Sequence, residues 1–179
     1  MKHFFILCVI LIVSIQIGYS QEQSVYDNYV GTWKWEDKQT DSEFVIILKK
    51  SKADWTKFNA GVVDCIIGAY KYKKNGIITS DNLNELIEEK GYIKYPINIL
   101  GDNSYMRLYV KDYAIKNGKG TPKNMKGSSN VKILEGSDGK IQMQWIVVDD
   151  GHQHIYTDEE RVFPKGTSLP TNITLTKVE

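Results

Sequence analysis

The chain has 179 residues, 25% of them charged and nearly balanced in sign, for a formal net charge of +1. That length suits one domain with a proper core. The balance removes the net-charge attraction that binding to nucleic acid or an acidic membrane would draw on.

The chain opens on the pattern of a removable export signal. Lys2 and His3 make a short basic start, and residues 4–17 are apolar apart from Ser14 and Gln16. That run is shorter than the roughly 20 apolar residues of a membrane span. Gly18-Tyr19-Ser20 then supplies small residues at the cleavage site, so cleavage is expected between Ser20 and Gln21. The mature domain would be residues 21–179, secreted or periplasmic, with no further apolar run of spanning length. Loss of Lys2 makes it formally neutral. Cys8 lacks the small-residue box of a lipid anchor. Cys65 is left with no partner for a disulfide and reads as a buried small hydrophobe.

Short strand-like runs separated by turn residues follow. Residues 31–36 come first, then 43–50, then a long run over 61–74 closed by Asn75-Gly76, a dipeptide suited to a tight hairpin. Residues 77–79 return. Asn82 and Glu85 have capping-box spacing, and Leu83, Leu86 and Ile87 share a helical face, which predicts one short helix ending at Gly91. Strands resume over 92–100, with Pro96 marking an edge or bulge. Over 104–111, Met106, Leu108 and Val110 share one face, and Tyr105, Arg107 and Tyr109 the other. Residues 117–130, rich in Gly, Lys, Ser and Asn, read as the longest exposed loop. A second hairpin spans 131–135 and 140–148 around Gly136-Ser137-Asp138-Gly139, with Ile141, Met143, Trp145 and Val147 on one face. Residues 154–157 and 161–163 are weaker candidates, and 172–178 is a closing strand.

The prediction is an all-β, antiparallel fold of about eight to ten strands, a barrel or a sandwich. Closure would remove the edge strands that invite aggregation.

Tyr29-Val30-Gly31-Thr32-Trp33, near the expected mature N-terminus, resembles the opening of lipocalin and wider calycin barrels. The resemblance implies that Gly31 allows close backbone approach and that Trp33 plugs the closed end of a lipocalin-like β-barrel. Lipocalins commonly lay an arginine of the last strand over this tryptophan. Here Lys177 takes that place in the chain, and a lysine stacks less well than a planar guanidinium. The leader, Gly31-Thr32-Trp33, residues 44–50, the Gly68-Ala69-Tyr70 strand and the tail over 169–177 also look like a family of exported Bacteroidota proteins that carries only a domain-of-unknown-function label. That likeness implies no activity and transfers no catalytic residue.

A small barrel can hold one small ligand or fill itself with side chains. Tyr70, Tyr72, Tyr105, Tyr109 and Trp145 are the candidate lining, with Tyr70 and Tyr72 on one strand face and Tyr105 and Tyr109 on another. In the competing arrangement the strands pack a solid core and the tyrosines lie outside. His152 and His154, two apart, could share a metal ion with Asp149, Asp150 or Asp158. Asp149-Asp150-Gly151 is equally a turn signal that breaks such geometry, and no metal is assigned. Asp158-Glu159-Glu160 and Glu88-Glu89 read as solvated. With no nucleophile elbow, phosphate loop or zinc-protease motif, neither an enzyme nor a cofactor is expected. Two functions remain: binding of a small, largely apolar ligand inside the barrel, or a filled barrel that meets a protein or glycan partner through its surface. Residues 117–130 and the Trp55–Phe58 region are the contact elements of the second, and the partner itself is unknown.

Overall fold

The computed structural model describes residues 24–56, 61–87, 91, 94–101, 106–125, 129–136, 139–149 and 163–178. The predicted leader lies outside them.

Among the described residues ten strands form one antiparallel sheet: β1 Gly31–Asp37, β2 Ser42–Asp54, β3 Val62–Lys74, β4 Ile77–Asp81, β5 Ile97–Gly101, β6 Met106–Lys116, β7 Pro122–Met125, β8 Asn130–Glu135, β9 Ile141–Ile146 and β10 Asn172–Lys177. Strands β1, β2, β3, β5, β6, β8, β9 and β10 pair in chain order, and β10 returns to β1 through Trp33 opposite Lys177. The result is a closed eight-stranded up-and-down barrel, with β4 on β3 and β7 on β6 as additions. No helix of the described residues is long and apolar enough to cross a membrane.

The period-2 pattern dictates which side chains enter the barrel. On β2, Phe44, Ile46 and Leu48 are buried between less buried neighbours. On β6 the inward row is Met106, Leu108, Val110 and Asp112. On β9 it is Met143 and Trp145, with Val147 just beyond. The Asn75-Gly76 hairpin forms as expected, with φ of 50° and 78°. Gly68 sits where strands crowd. A Cβ there would lie 2.6 Å from Leu48 Cδ2 and 2.8 Å from the Ile47 carbonyl oxygen.

Three expectations are corrected. The predicted helix is a single 3₁₀ turn over Leu83–Leu86, and Asn82 makes no capping bond. Its side chain is used elsewhere: Asn82 Oδ1 accepts from the Tyr70 amide at 2.8 Å, and the Asn82 amide donates to the Tyr70 carbonyl at 3.0 Å. Asn82 thereby pairs the stretch of β3 edge between β4 and β5. Of the strand expected over 92–100, residues 92 and 93 lie outside the described residues and the strand begins at Ile97: the Pro96 carbonyl still accepts from the Lys111 amide at 2.9 Å, but Pro96 has no N–H to give to a ladder. The loop expected over 117–130 contains β7, whose Lys123 and Met125 oppose Asp112 and Val110 and are buried. A cationic side chain buried on a short strand leaves no apolar period to read.

Both ends of the barrel are covered. At the end where β1 starts, a 3₁₀ turn over Val25–Asn28 brings Tyr26 and Tyr29 into the core, and Tyr26 Oη donates to the Gly101 carbonyl at 2.8 Å. At the opposite end, residues 164–171 run from Lys123 on β7 and Asp112 on β6 to Trp145 on β9 and insert Leu169 into the core.

Candidate functional site

The barrel interior is the natural candidate. Phe44 is its centre, with ring centroids 5.6 Å from Tyr70, 5.6 Å from Tyr72 in an edge-on contact, and 5.2 Å from Trp145. Such tilted pairs suit the aromatic quadrupole. Trp33, Phe44, Ile46, Ile66, Tyr70, Ile97, Ile99, Leu108, Met143, Trp145 and Leu175 expose 0% of their surface. A void able to hold a water would leave exposed area on its walls, so none borders these side chains. These eleven side chains are packed like a protein core.

The polar atoms of the aromatics are used to join the wall. Trp33 Nε1 donates to the Tyr29 carbonyl at 2.7 Å, and Trp145 Nε1 to the Pro170 carbonyl at 3.1 Å. Lys177 Nζ lies 5.5 Å from the Trp33 ring centroid, a cation–π contact at the strand where the barrel closes. Tyr70 Oη donates to the Lys111 carbonyl at 2.7 Å and accepts from the Tyr113 amide at 3.3 Å. That hydroxyl ties β3 to the part of β6 beyond the β5 ladder. Burial pushes the Tyr70 phenol well above its ordinary range, against the opposing effect of the bond from Tyr113. Burial also raises Tyr29, Tyr72 and Tyr113, with a backbone bond at Ile133 opposing it at Tyr29.

Of the predicted lining, Tyr70, Tyr72 and Trp145 meet in one cluster around Phe44. Tyr109 lies on the other face of β6, half-buried opposite Asn98, because Leu108 and Val110 take the inward positions. Tyr105 lies outside the described residues. Gly31 opens β1 at φ 128°, and Trp33 is fully buried. His152 and His154 also fall outside the described residues. Asp149 bonds Lys123 Nζ at 2.8 Å. Among the described residues no cluster of His, Cys, Asp or Glu could hold a metal ion. Of the predicted contact elements, Phe58 lies outside the described residues, while Trp55 packs against a small outer-wall cluster of Ala53, Cys65, Ile67 and Tyr95. Burial raises the Cys65 thiol, with a bond from Ser51 opposing it and the Asp64 charge adding to it.

Sequence reasoning missed the charged cluster at the covered end. Asp112 is fully buried yet ionisable, and it accepts from the amides of Ala114 (3.1 Å), Ile115 (3.3 Å) and Ser168 (2.6 Å) and the hydroxyls of Thr167 (2.9 Å) and Ser168 (2.5 Å). Lys123 is buried as well, and its ammonium donates to Asp149 Oδ2 and to the carbonyls of Pro164 (2.9 Å) and Gly166 (2.8 Å). One signal was available: Asp112 continues the inward row Met106, Leu108, Val110. An acid at that phase needs partners.

No match was found among curated proteins or among solved structures. A family model described as a family of unknown function, DUF6705, matches residues 1–178, and the chain belongs to that family.

Proposed function

We propose that this protein is an exported, non-enzymatic interaction module, a filled barrel that meets a protein or glycan partner through its outer surface. The solid interior is the observation that supports this reading. Ligand binding among Tyr70, Tyr72 and Trp145 would require the rings around Phe44 to part, losing contacts on every side. The outer wall carries surface suited to contact. Val62 and Val63 stand exposed where β3 begins, and Ile77 and Ile78 on the β3–β4 hairpin, the last pair 69% and 54% exposed. The two pairs lie at opposite ends of β3, and each is exposed apolar surface that a partner would gain by burying.

Native mass spectrometry of the protein purified from its own source tests both halves. The mature chain is expected to begin at Gln21 and to fly as a bare polypeptide. A panel of lipids and small apolar molecules should leave its Tm unchanged. A small molecule held in one-to-one ratio and lost on denaturation would defeat the proposal, and retention of Met1 would defeat export by cleavage.

A further inference from the structure

We propose that residues 164–171 form a lid over one end of the barrel, latched by buried charge, which opens as a unit while the barrel stays closed. The latch has two halves. The lid supplies the Ser168 amide and the hydroxyls of Thr167 and Ser168 to Asp112. It supplies the carbonyls of Pro164 and Gly166 to Lys123, and the Gly166 amide to Asp149 at 2.6 Å. The barrel supplies three charged side chains, from β6, β7 and the segment just past β9.

The balance of forces at this contact differs from that of the rest of the core. Leu169 is the lid's buried apolar anchor among the described residues. Near its junction with β10 the lid also accepts two neutral bonds, from Trp145 Nε1 to the Pro170 carbonyl and from the Val147 amide to the Thr171 carbonyl; the bonds over Pro164–Ser168 that tie it to the barrel are made to charged side chains. Asp112, whose five donors are all neutral, is an anion taken out of water. Opening returns that carboxylate and the Lys123 ammonium to water, so hydration offsets the bonds lost. Strands held by apolar burial gain nothing comparable on opening.

The latch also survives opening. Asp112 keeps the amides of Ala114 and Ile115 on its own strand, and Lys123 keeps Asp149. The barrel half therefore stays assembled and ready to recapture the lid. The lid has internal stiffness too, since the Leu169 amide donates to Thr167 Oγ1 at 3.1 Å. Thr167, Ser168 and Leu169 would leave and return together. The latch works in the same way whichever surface the protein presents to a partner.

Hydrogen exchange read by mass spectrometry on the whole protein tests it. The amides of Gly166, Ser168 and Leu169 should exchange at least about a hundredfold faster than those of β1 and β2, yet more slowly than in an unstructured peptide of the same sequence. Asp112→Asn should speed the lid by about tenfold more and leave β1 and β2 as they were. If Asp112→Asn does not fold, Ser168→Ala carries the test with the same expectation. Lid amides that exchange in step with β1 and β2, or at the unstructured rate in the unaltered protein, overturn the proposal. Equal acceleration of lid and barrel in the variant also overturns it.

Discussion

Two residues show how tightly single side chains are specified. Gly68 faces Leu48 and the Ile47 carbonyl at distances no Cβ tolerates. The second neighbour is backbone, so relief requires β2 to move. Gly68→Ala is expected to destabilise the fold by about 1–3 kcal/mol, the range for overpacking a dense core. Urea unfolding followed by tryptophan fluorescence would read the loss as a lower midpoint with an unchanged slope. An unchanged midpoint would mean the strands have room that the packing denies. Tyr70 is the other case. Its ring sits in the interior while its hydroxyl serves Lys111 and Tyr113 on β6. Tyr70→Phe keeps the ring and removes the hydroxyl's bonds to both backbone groups, at an expected cost of about 1–3 kcal/mol. A double-mutant cycle cannot remove the backbone partners, so equilibrium unfolding is the appropriate measurement.

At the scale of elements, the strands were the legible part, and the joints between them were not. The inward rows of β2, β6 and β9 follow directly from alternation, and Asn75-Gly76 marks its hairpin because both residues must take positive φ. Asn82 was misread because capping and edge-pairing ask for the same short amide. The choice between them depends on where β4 ends and β5 begins, a long-range fact. Asn82→Ala tests the assignment made by the structure. It removes the Oδ1 acceptor of the Tyr70 amide and should cost about 1–3 kcal/mol, whereas loss of a cap on one exposed turn would cost less. Exchange of the Tyr70 amide should rise sharply. A protected Tyr70 amide in that variant would return Asn82 to a local role. Lys123, Asp149 and Leu169 were illegible for a similar reason. Leu169 lies among Pro, Lys, Gly, Thr and Ser with no period around it, and its burial is decided by Asp112 on a distant strand. Of the expected aromatic lining, Tyr70, Tyr72 and Trp145 could be read from strand phase. Tyr109 could be read too, since the alternation that turns Met106, Leu108 and Val110 inward puts Tyr109 on the other face with Arg107.

At the scale of the whole molecule, pH reports how much of the tyrosine content lies inside. Tyr29, Tyr70, Tyr72 and Tyr113 all have phenols raised by burial above the ordinary value of 10.0. A phenol with a raised folded value stabilises the fold fully below its unfolded value. That contribution fades as pH climbs from there towards the folded value. The Tm should therefore hold steady through neutral pH and fall above about pH 10, with the rise in phenolate absorbance coinciding with unfolding. Phenolate absorbance that appears well before the Tm falls would place these rings nearer to solvent.

The pairing of β10 with β1 also sets an order of events during synthesis. The ribosome releases β1 first and its partner last, so the growing chain carries raw sheet edges on β1 and β9 until residues 172–177 emerge. A seam that joins opposite ends of the polypeptide forms slowly because its loop is the longest available. A nascent chain stalled before Asn172 is thus an open ribbon with both margins sticky, and whatever holds it apart from its neighbours in that interval decides how much of it ever becomes a barrel.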